Sequence, residues 1–289
     1  MKAPTLQEWQ AYGKYISILG HELFVIDEGD SKETIVVLHG FPSCSYDYYE
    51  VLPFWTKKYR VIIHDHPGFG LSSKTMDYSY SLIEQADVAL ALWKALGLEK
   101  VNLVAHDYGT SVATEIIARY NLNYLPIQLN SVTLGNGSML IEMAKLLVTQ
   151  KILRTSFWGP ILAKFTSKAF FMYNFKKLWY DKSKINLEEL NVLWEMLIHN
   201  NGRKVLPLIS RYTFERSKFW HRWIGGLEKT DQHIHILWAN KDPIAIYEMA
   251  KVLQEKIPNN TLTTIENVGH YPMLEAPEKY AEEVMKGIV

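Results

Sequence analysis

The chain contains little cysteine and no excess of charge of either sign. Cys44 is the only cysteine among its 289 residues, which excludes a disulfide within the chain and a zinc site made of cysteines alone. Lys and Arg together number 31, and so do Asp and Glu. This balance argues against a general nucleic-acid-binding protein, because such proteins need a basic surface for phosphates. No spacing of His, Asp and Glu suggests a metal site, so neither a metal nor an organic cofactor is expected.

Long apolar runs are missing as well. The sequence has no stretch of about 18 uninterrupted apolar residues, so no membrane-spanning helix is expected. Its first eight residues, Met1 to Glu8, include no apolar stretch of signal-peptide length. These absences predict a soluble protein that is located in the cytoplasm.

Short β-branched runs alternate with helical patterns, which is typical of a parallel sheet covered by helices. The runs Thr34–Leu38 and Val101–Ala105 are apolar throughout, as strands buried on both faces should be. The sequence therefore predicts an α/β fold with a mostly parallel sheet of eight strands. The predicted strands are Tyr15–Leu19, Leu23–Asp27, Thr34–Leu38, Arg60–His64, Val101–Ala105, Ser131–Leu134, His233–Trp238 and Thr261–Ile265.

The region between the sixth and seventh predicted strands has a different character. Helical patterns such as Leu140–Val148 and Leu187–Ile198 replace the β-branched runs. We therefore predict a core domain over residues 1–137 and 231–289, interrupted by a helical cap domain over residues 138–230. The cap holds 16 Lys and Arg against 7 Asp and Glu, whereas the core holds 15 against 24. The two parts are expected to attract each other, and the cap is expected to steer amphipathic anions toward the site.

An aspartate follows the fifth strand at a predicted sharp turn. In Ala105-His106-Asp107-Tyr108-Gly109, small residues flank Asp107 two positions away on each side. This is the spacing of a nucleophile elbow, where serine is the usual residue and where small flanks let strand and helix backbones approach closely. An alternative interpretation is that Asp107 only caps the N-terminus of the following helix.

A second motif, His39-Gly40-Phe41-Pro42, directly follows the strand Thr34–Leu38. A His-Gly pair at this place usually shapes an oxyanion hole, and the expected donors are the backbone N–H groups of Phe41 and Tyr108. By itself the motif is equally consistent with an ordinary turn after a strand.

Asp242 and His270 follow the last two predicted strands. The carboxyl ends of parallel strands are where open α/β sheets bind their ligands. The chain order of nucleophile, acid and histidine is the order that this kind of site requires. A lone Asp or His is usually structural, but their joint occurrence with Asp107 predicts a catalytic triad.

With these motifs the chain resembles the α/β-hydrolases over nearly its whole length. The aspartate at the elbow places it near the epoxide hydrolases and haloalkane dehalogenases, and in detail it is similar to the mesoderm-specific transcript branch. That similarity rests on the segments 105–109 (AHDYG), 134–137 (LGNG), 199–202 (HNNG) and 222–227 (RWIGGL).

The resemblance implies a reaction through an alkyl ester on the enzyme. Asp107 would attack an sp³ carbon, and water would then cleave the ester. His270 would activate that water while Asp242 orients the imidazole. The expected substrate is an apolar or amphipathic small molecule, most simply an epoxide that is converted to a diol.

The resemblance also implies a proton donor from the cap. Epoxide hydrolases typically use two cap tyrosines, and Ile209–Arg216 resembles the stretch that holds the second one. Tyr212 is therefore the candidate proton donor or leaving-group contact; the alternative is an amphipathic tyrosine whose ring is packed and whose hydroxyl contacts water. The first cap tyrosine has no clear counterpart, and Tyr173 and Tyr180 are the candidates.

Three alternatives remain open at this stage. A haloalkane dehalogenase usually has a tryptophan directly after the nucleophile, where this chain has Tyr108. A non-enzymatic interaction protein on the same fold is the second alternative, although the complete set of triad residues argues against it. The third is peripheral contact with an anionic membrane through Ser138–Phe171, which is apolar at helical spacing and basic. Packing of that segment on its own core is the preferred interpretation.

Overall fold

The computed structural model describes residues 2–288, in which eight strands form one sheet. Across the sheet the order is β1-β2-β4-β3-β5-β6-β7-β8; β2 is antiparallel to both of its neighbours, and all pairs from β4 to β8 are parallel. This confirms the predicted fold class. The strands are β1 (Lys14–Ile18), β2 (His21–Glu28), β3 (Thr34–Leu38), β4 (Arg60–His64), β5 (Lys100–His106), β6 (Gln128–Gly135), β7 (Ile234–Ala239) and β8 (Asn260–Ile265).

The central strands are buried on both faces and end at a common edge. Every residue of β3 is buried, and so is every residue of β5 after its first. Leu38 at the end of β3 pairs with Ala105, and His106 at the end of β5 pairs with Gly135 of β6. The loops that follow these three strands therefore leave the sheet side by side.

Helices cover the sheet and fill the interval between β6 and β7. Ser81 caps the helix Leu82–Ala95, because its hydroxyl accepts the Glu84 backbone N–H at 3.2 Å. Across residues 2–288, no helix combines the length and the apolar character that crossing a bilayer requires. The helices are α1 (Leu6–Tyr12), α2 (Leu52–Trp55), α3 (Leu82–Ala95), α4 (Tyr108–Tyr120), α5 (Val148–Leu153), α6 (Trp158–Phe165), α7 (Lys168–Phe175), α8 (Leu187–Ile198), α9 (Leu206–Ile209), α10 (Tyr212–Lys218), α11 (Trp220–Leu227), α12 (Tyr247–Lys256), α13 (Pro272–Glu275) and α14 (Pro277–Lys286), with 3₁₀ turns at Ser45–Tyr48, Lys176–Leu178, Lys182–Lys184 and His199–Lys204.

The helical segment between β6 and β7 differs from the prediction at its start. α8 has the predicted bounds, but the helix predicted over Leu140–Val148 is wrong, because residues 141–144 only form turns and α5 begins at Val148. The backbone N–H of Lys145 donates to the carbonyl oxygen of Ile244, at 3.0 Å, in the loop after β7. This tertiary hydrogen bond takes the place of a helical one, and it fastens the segment to the core.

A buried carboxylate on α4 holds the other end of the segment. Glu115 accepts hydrogen bonds from Arg222 Nε and Nη2 at 2.7 Å and from Trp223 Nε1 at 2.8 Å, both on α11. Arg119, one turn further along α4, donates to the same carboxylate at 2.9 Å. Burial raises the pKa of Glu115, but the hydrogen bonds from Arg222, Trp223 and Arg119 outweigh it, so the net pKa lies below the usual value.

We expect Glu115→Gln to lower the free energy of unfolding by about 2 kcal/mol, because it leaves Arg222 without a carboxylate and Arg119 with that of Asp87 only. The loss is smaller than for a fully buried pair, since the Arg222 side chain is 34% exposed and water screens it. Urea unfolding followed by circular dichroism measures the change. Glu228→Gln is the matched control, because its partner Lys256 is a surface residue; an equal loss in both variants contradicts the assigned role of Glu115.

Candidate active site

Asp107 sits at a strained turn between β5 and α4. Its backbone has φ 46° and ψ −109°, a region that non-glycine residues rarely occupy and that costs about 1–3 kcal/mol. Close packing enforces the turn: a Cβ at Gly109 would lie 2.1 Å from the carbonyl oxygen of Leu38, and one at Gly40 would lie 3.0 Å from Asp107 Cβ. The small residues around the aspartate are therefore required by contact between backbones.

The Asp107 carboxylate does not cap α4. It makes no capping hydrogen bond to the helix; instead Oδ1 accepts the backbone N–H of Phe41 at 2.8 Å. Tyr108 is the first residue of α4, so its N–H has no acceptor within the helix. The N–H groups of Phe41 and Tyr108 are the two expected oxyanion donors. In the structure the Phe41 N–H donates to the Asp107 carboxylate.

The His-Gly motif fixes the loop that carries Phe41. His39 Nδ1 lies 2.8 Å from the carbonyl oxygen of Gly40, and His39 Nε2 accepts the backbone N–H of His66 at 3.0 Å. The ring is therefore neutral with its proton on Nδ1, and burial lowers the pKa of His39 to about 4. The side chain acts as a fixed brace between two loops at the edge of the sheet.

The structure brings Asp242 and His270 to Asp107. His270 Nδ1 lies 2.7 Å from Asp242 Oδ2, and His270 Nε2 lies 3.6 Å from Asp107 Oδ2. All three side chains are buried. The second distance leaves the histidine close to the carboxylate without a direct hydrogen bond of normal length.

Three further donors hold the Asp242 carboxylate. Oδ1 accepts the backbone N–H groups of Ile244 and Ala245 at 2.7 and 3.0 Å, and Oδ2 accepts Asn136 Nδ2 at 2.8 Å. Asn136 also accepts the Ala239 N–H through its own Oδ1. Asp242 is thus oriented before His270 binds to it, which is how a triad acid positions an imidazole.

Two carboxylates determine the protonation of His270. Burial alone lowers its pKa, but the charge and the hydrogen bond of Asp242, together with the charge of Asp107, outweigh burial and raise the pKa to about 9. The carbonyl oxygen of His270 accepts His106 Nε2 at 2.8 Å, which fixes the loop. The charged imidazolium is therefore favoured, more by Asp242 than by Asp107.

The Tyr212 ring packs near the rings of Phe41 and Tyr108, the two residues whose backbone N–H groups are the expected oxyanion donors. Its centroid is 5.8 Å from that of Phe41 and 5.0 Å from that of Tyr108. Burial and the charge of Asp107 raise the pKa of Tyr212, so its hydroxyl keeps its proton. Tyr173 and Tyr180 are exposed and lie against Lys177 and Lys241, so the structure brings neither of these two candidates to the site.

An apolar pocket leads away from His270 and Phe41. It encloses about 750 Å³ of empty space, counting its open mouth. Apolar side chains form most of the wall, among them Leu153, Leu162, Phe170, Phe171, Phe175 and Leu197, and Thr149, Gln150, Thr166 and Asn174 add a few polar groups. Apolar pockets with a few polar groups in their walls accept small apolar or amphipathic molecules.

Sequence reasoning missed two residues at the site. Asn136 lies in the segment 134–137 (LGNG), which supported the family resemblance, but the sequence analysis assigned no role to it. Arg216 on α10 is buried, and its Nη2 donates to the main-chain carbonyl of Asp107 at 3.1 Å, while Nε donates to Ser111 Oγ at 2.5 Å. An arginine in a basic helical segment resembles its exposed neighbours, so a single sequence contains no signal for this contact.

Two curated relatives match the chain over nearly its full length. LipZ of Mycobacterium tuberculosis, provisionally named a hydrolase, is 33% identical over 100% of both chains. The mesoderm-specific transcript protein of Mus musculus is 32% identical over 98% of this chain and 88% of its own.

Solved structures share the fold at lower identity. The haloalkane dehalogenase DbeA from Bradyrhizobium elkani has a TM-score of 0.81 with 20% identity, over 96% of this chain and 97% of that one. The epoxide hydrolase CorEH has a TM-score of 0.76 with 17% identity, over 95% and 97%. At such identities the likeness concerns the fold alone, so it does not choose between their reactions.

The alpha/beta hydrolase fold family matches residues 33–277. Together with two relatives above 30% identity and the eight-stranded sheet, this match shows that the chain belongs to the alpha/beta hydrolase fold family.

Proposed function

We propose that the protein is a hydrolase that opens epoxides through an ester on Asp107. The observation that carries the proposal is the Asp107 carboxylate at the elbow, with Oδ1 held by the Phe41 N–H and Oδ2 close to His270. The hydrolase names and fold of the relatives support an enzyme of this class. In this proposal residues 138–230 form a cap over the core of residues 1–137 and 231–289.

The first step forms the ester. Asp107 Oδ2 attacks one epoxide carbon, a new C–O bond forms, and the C–O bond of the ring breaks. The alkoxide that is released takes the hydroxyl proton of Tyr212. Burial is the larger cause of the raised pKa of Tyr212, and the charge of Asp107 adds to it. Because Asp107 loses its negative charge in this step, that second contribution disappears while the proton is needed.

The second step hydrolyses the ester. His270 Nε2 takes a proton from water, and the hydroxide attacks Asp107 Cγ while the Phe41 and Tyr108 N–H groups stabilise the oxyanion on Oδ1. The alkyl C–O bond to the enzyme is kept in the product and the acyl C–O bond breaks, which releases the diol and restores the carboxylate. The proton on His270 then returns to Tyr212, so epoxide and water give diol.

The choice of epoxide over haloalkane rests on the leaving-group contacts. A halide needs N–H donors in an apolar pocket, but the Phe41 side chain has none. The Tyr108 ring is buried against Phe69 and His66 and faces no open space. Among the described residues that line the pocket, none is a tryptophan. Tyr212, by contrast, supplies the hydroxyl that an alkoxide requires.

We expect His270→Gln to accumulate the ester, because attack can proceed while water is no longer activated. Incubation with a panel of epoxides should add the mass of one substrate to the Asp107 peptide, as read by mass spectrometry. Asp107→Ala should lose turnover by about 10⁴-fold or more and gain no mass. Full turnover in Asp107→Ala sinks the proposal, and halide release from a matched haloalkane panel without diol formation selects the dehalogenase instead.

Tyr212→Phe is expected to slow ester formation on epoxides by about 10²-fold or more, because the alkoxide loses its proton donor. Single-turnover kinetics should show this loss while hydrolysis of the preformed ester keeps its rate. Tyr180→Phe is the matched control, since that side chain is exposed and lies against Lys241. An unchanged rate of ester formation in Tyr212→Phe removes Tyr212 from the mechanism.

The pKa of His270, raised to about 9, should fall when the charge of Asp107 is removed. We expect Asp107→Asn to lower it by about one pH unit or more, because a carboxylate within about 4–6 Å favours the imidazolium. Titration of labelled histidine by NMR measures the value. In the wild type, ester hydrolysis needs neutral His270 and should therefore increase with pH through a midpoint below 9. An Asp107→Asn variant with an unshifted pKa contradicts the coupling.

A further inference from the structure

The helices α5–α7 present an apolar surface to solvent. Phe157, Trp158 and Phe165 are 68%, 60% and 74% exposed, and Val148, Ile161 and Phe170 are exposed beside them. We call these six residues the apolar face. The preferred expectation for this stretch, packing on its own core, holds for Leu140, Met143 and Leu147, but the six residues of the apolar face depart from it. Contiguous exposed apolar surface of this kind usually marks an interaction site.

Basic residues surround the apolar face without any acidic ones. Residues 143–180 contain seven Lys and Arg and no Asp or Glu. Lys151, Lys164 and Lys168 on α5, α6 and α7 are exposed, and Lys164 Nζ lies 5.8 Å from the centroid of Phe165. Aromatic side chains with lysines at their borders suit the boundary between lipid headgroups and acyl chains.

A cationic groove continues from the same helix. Pro160 and Lys164 of α6 line it together with Arg203, Lys204 and Arg211. Within residues 2–288, none of these four cations forms an ion pair with a carboxylate. The groove encloses about 1310 Å³ of empty space, counting its open side, so it can admit anionic headgroups next to the apolar face.

The mouth of the apolar pocket opens among the same three helices. Leu153 of α5, Leu162 of α6 and Phe170 of α7 line the pocket, and Phe170 also belongs to the apolar face. An acyl chain that leaves a bilayer at this face therefore meets the pocket without crossing water.

We propose that the apolar face and the cationic groove dock the protein on an anionic lipid bilayer, with the pocket mouth toward the lipid. A second copy of the chain fits this surface poorly, because it would bring two sets of unpaired cations together. A bilayer that contains anionic lipid supplies both the acyl layer for the aromatic side chains and the negative headgroups for the cations. This docking does not depend on the reaction proposed for Asp107.

Flotation of the full-length chain with vesicles tests the docking. The wild type should float with phosphatidylcholine vesicles that contain about 30 mol% phosphatidylserine and should stay behind with phosphatidylcholine alone. Raising the salt from about 0.1 to about 0.5 M should weaken the binding. The triple variant Phe157→Ser, Trp158→Ser, Phe165→Ser and the double variant Lys164→Glu, Lys168→Glu should each lose about tenfold in bound fraction.

Matched controls separate the docking from folding and from catalysis. Leu122→Ser with Tyr124→Ser removes apolar side chains that are 67% and 76% exposed on the core, and this variant should float like the wild type. Asp107→Ala should also float normally, so the proposed reaction can fail while the docking holds. Absence of flotation overturns the docking, as does equal flotation of the triple variant. A third outcome would also falsify the docking: the wild type does not float but sediments as a dimer, and the triple variant sediments as a monomer. That result would indicate a contact between copies of the chain.

Discussion

The buried negative charge of Asp107 is the constraint on which the arrangement of the rest of the site depends. Burying a carboxylate away from water costs free energy unless fixed hydrogen-bond donors or an opposite charge replace the water. Here the Phe41 N–H binds Oδ1, and His270 stands near Oδ2 with its pKa raised to about 9. Arg216 adds positive charge from the other side through the main-chain carbonyl. Each of these neighbours therefore stabilises the negative charge of Asp107, which the proposed reaction removes and then restores.

Strand order explains how one small region gathers these groups. β3, β5, β6 and β7 are adjacent, and β8 follows at the edge of the sheet. Their carboxyl ends carry, in that spatial order, Phe41, Asp107, Asn136, Asp242 and His270. Neighbouring strands lie about 4.8 Å apart, so short loops suffice to bring the side chains into contact. Because the positions are set by backbone pairing, the geometry does not depend on flexible segments.

The sequence could predict what depends on local pattern. Apolar β-branched runs identify β3 and β5, and the small residues around Asp107 identify the elbow, because the close approach of Gly109 to Leu38 forbids larger ones. Contacts between distant segments leave no such local trace. The Arg216 contact joins positions 109 residues apart, and the Lys145 bond to Ile244 overrides a helical pattern at Leu140–Val148. The exposure of the apolar residues of α6 could not be predicted either, since periodicity identifies an apolar stripe but not whether another element covers it.

The cations of the helical segment between β6 and β7 fall into two groups, those that bind the core and those that do not. Arg216 and Arg222 turn toward the core, where the main chain of Asp107 and the carboxylate of Glu115 bind them. Glu215 also reaches the core, because it accepts the Leu82 N–H at the start of α3. Over residues 2–288, the lysines and arginines of positions 143–180 form no ion pair with the core. Among the described residues, the ion pair that joins a cation of this segment to a core carboxylate is the one between Arg222 and Glu115, whereas Arg216 binds main chain and a hydroxyl. Within residues 2–288 the cations of α5–α7 have no carboxylate partner, although Arg154 at the end of α5 donates to Thr213 and stacks on Phe214. Their charge is therefore available to meet an anionic surface.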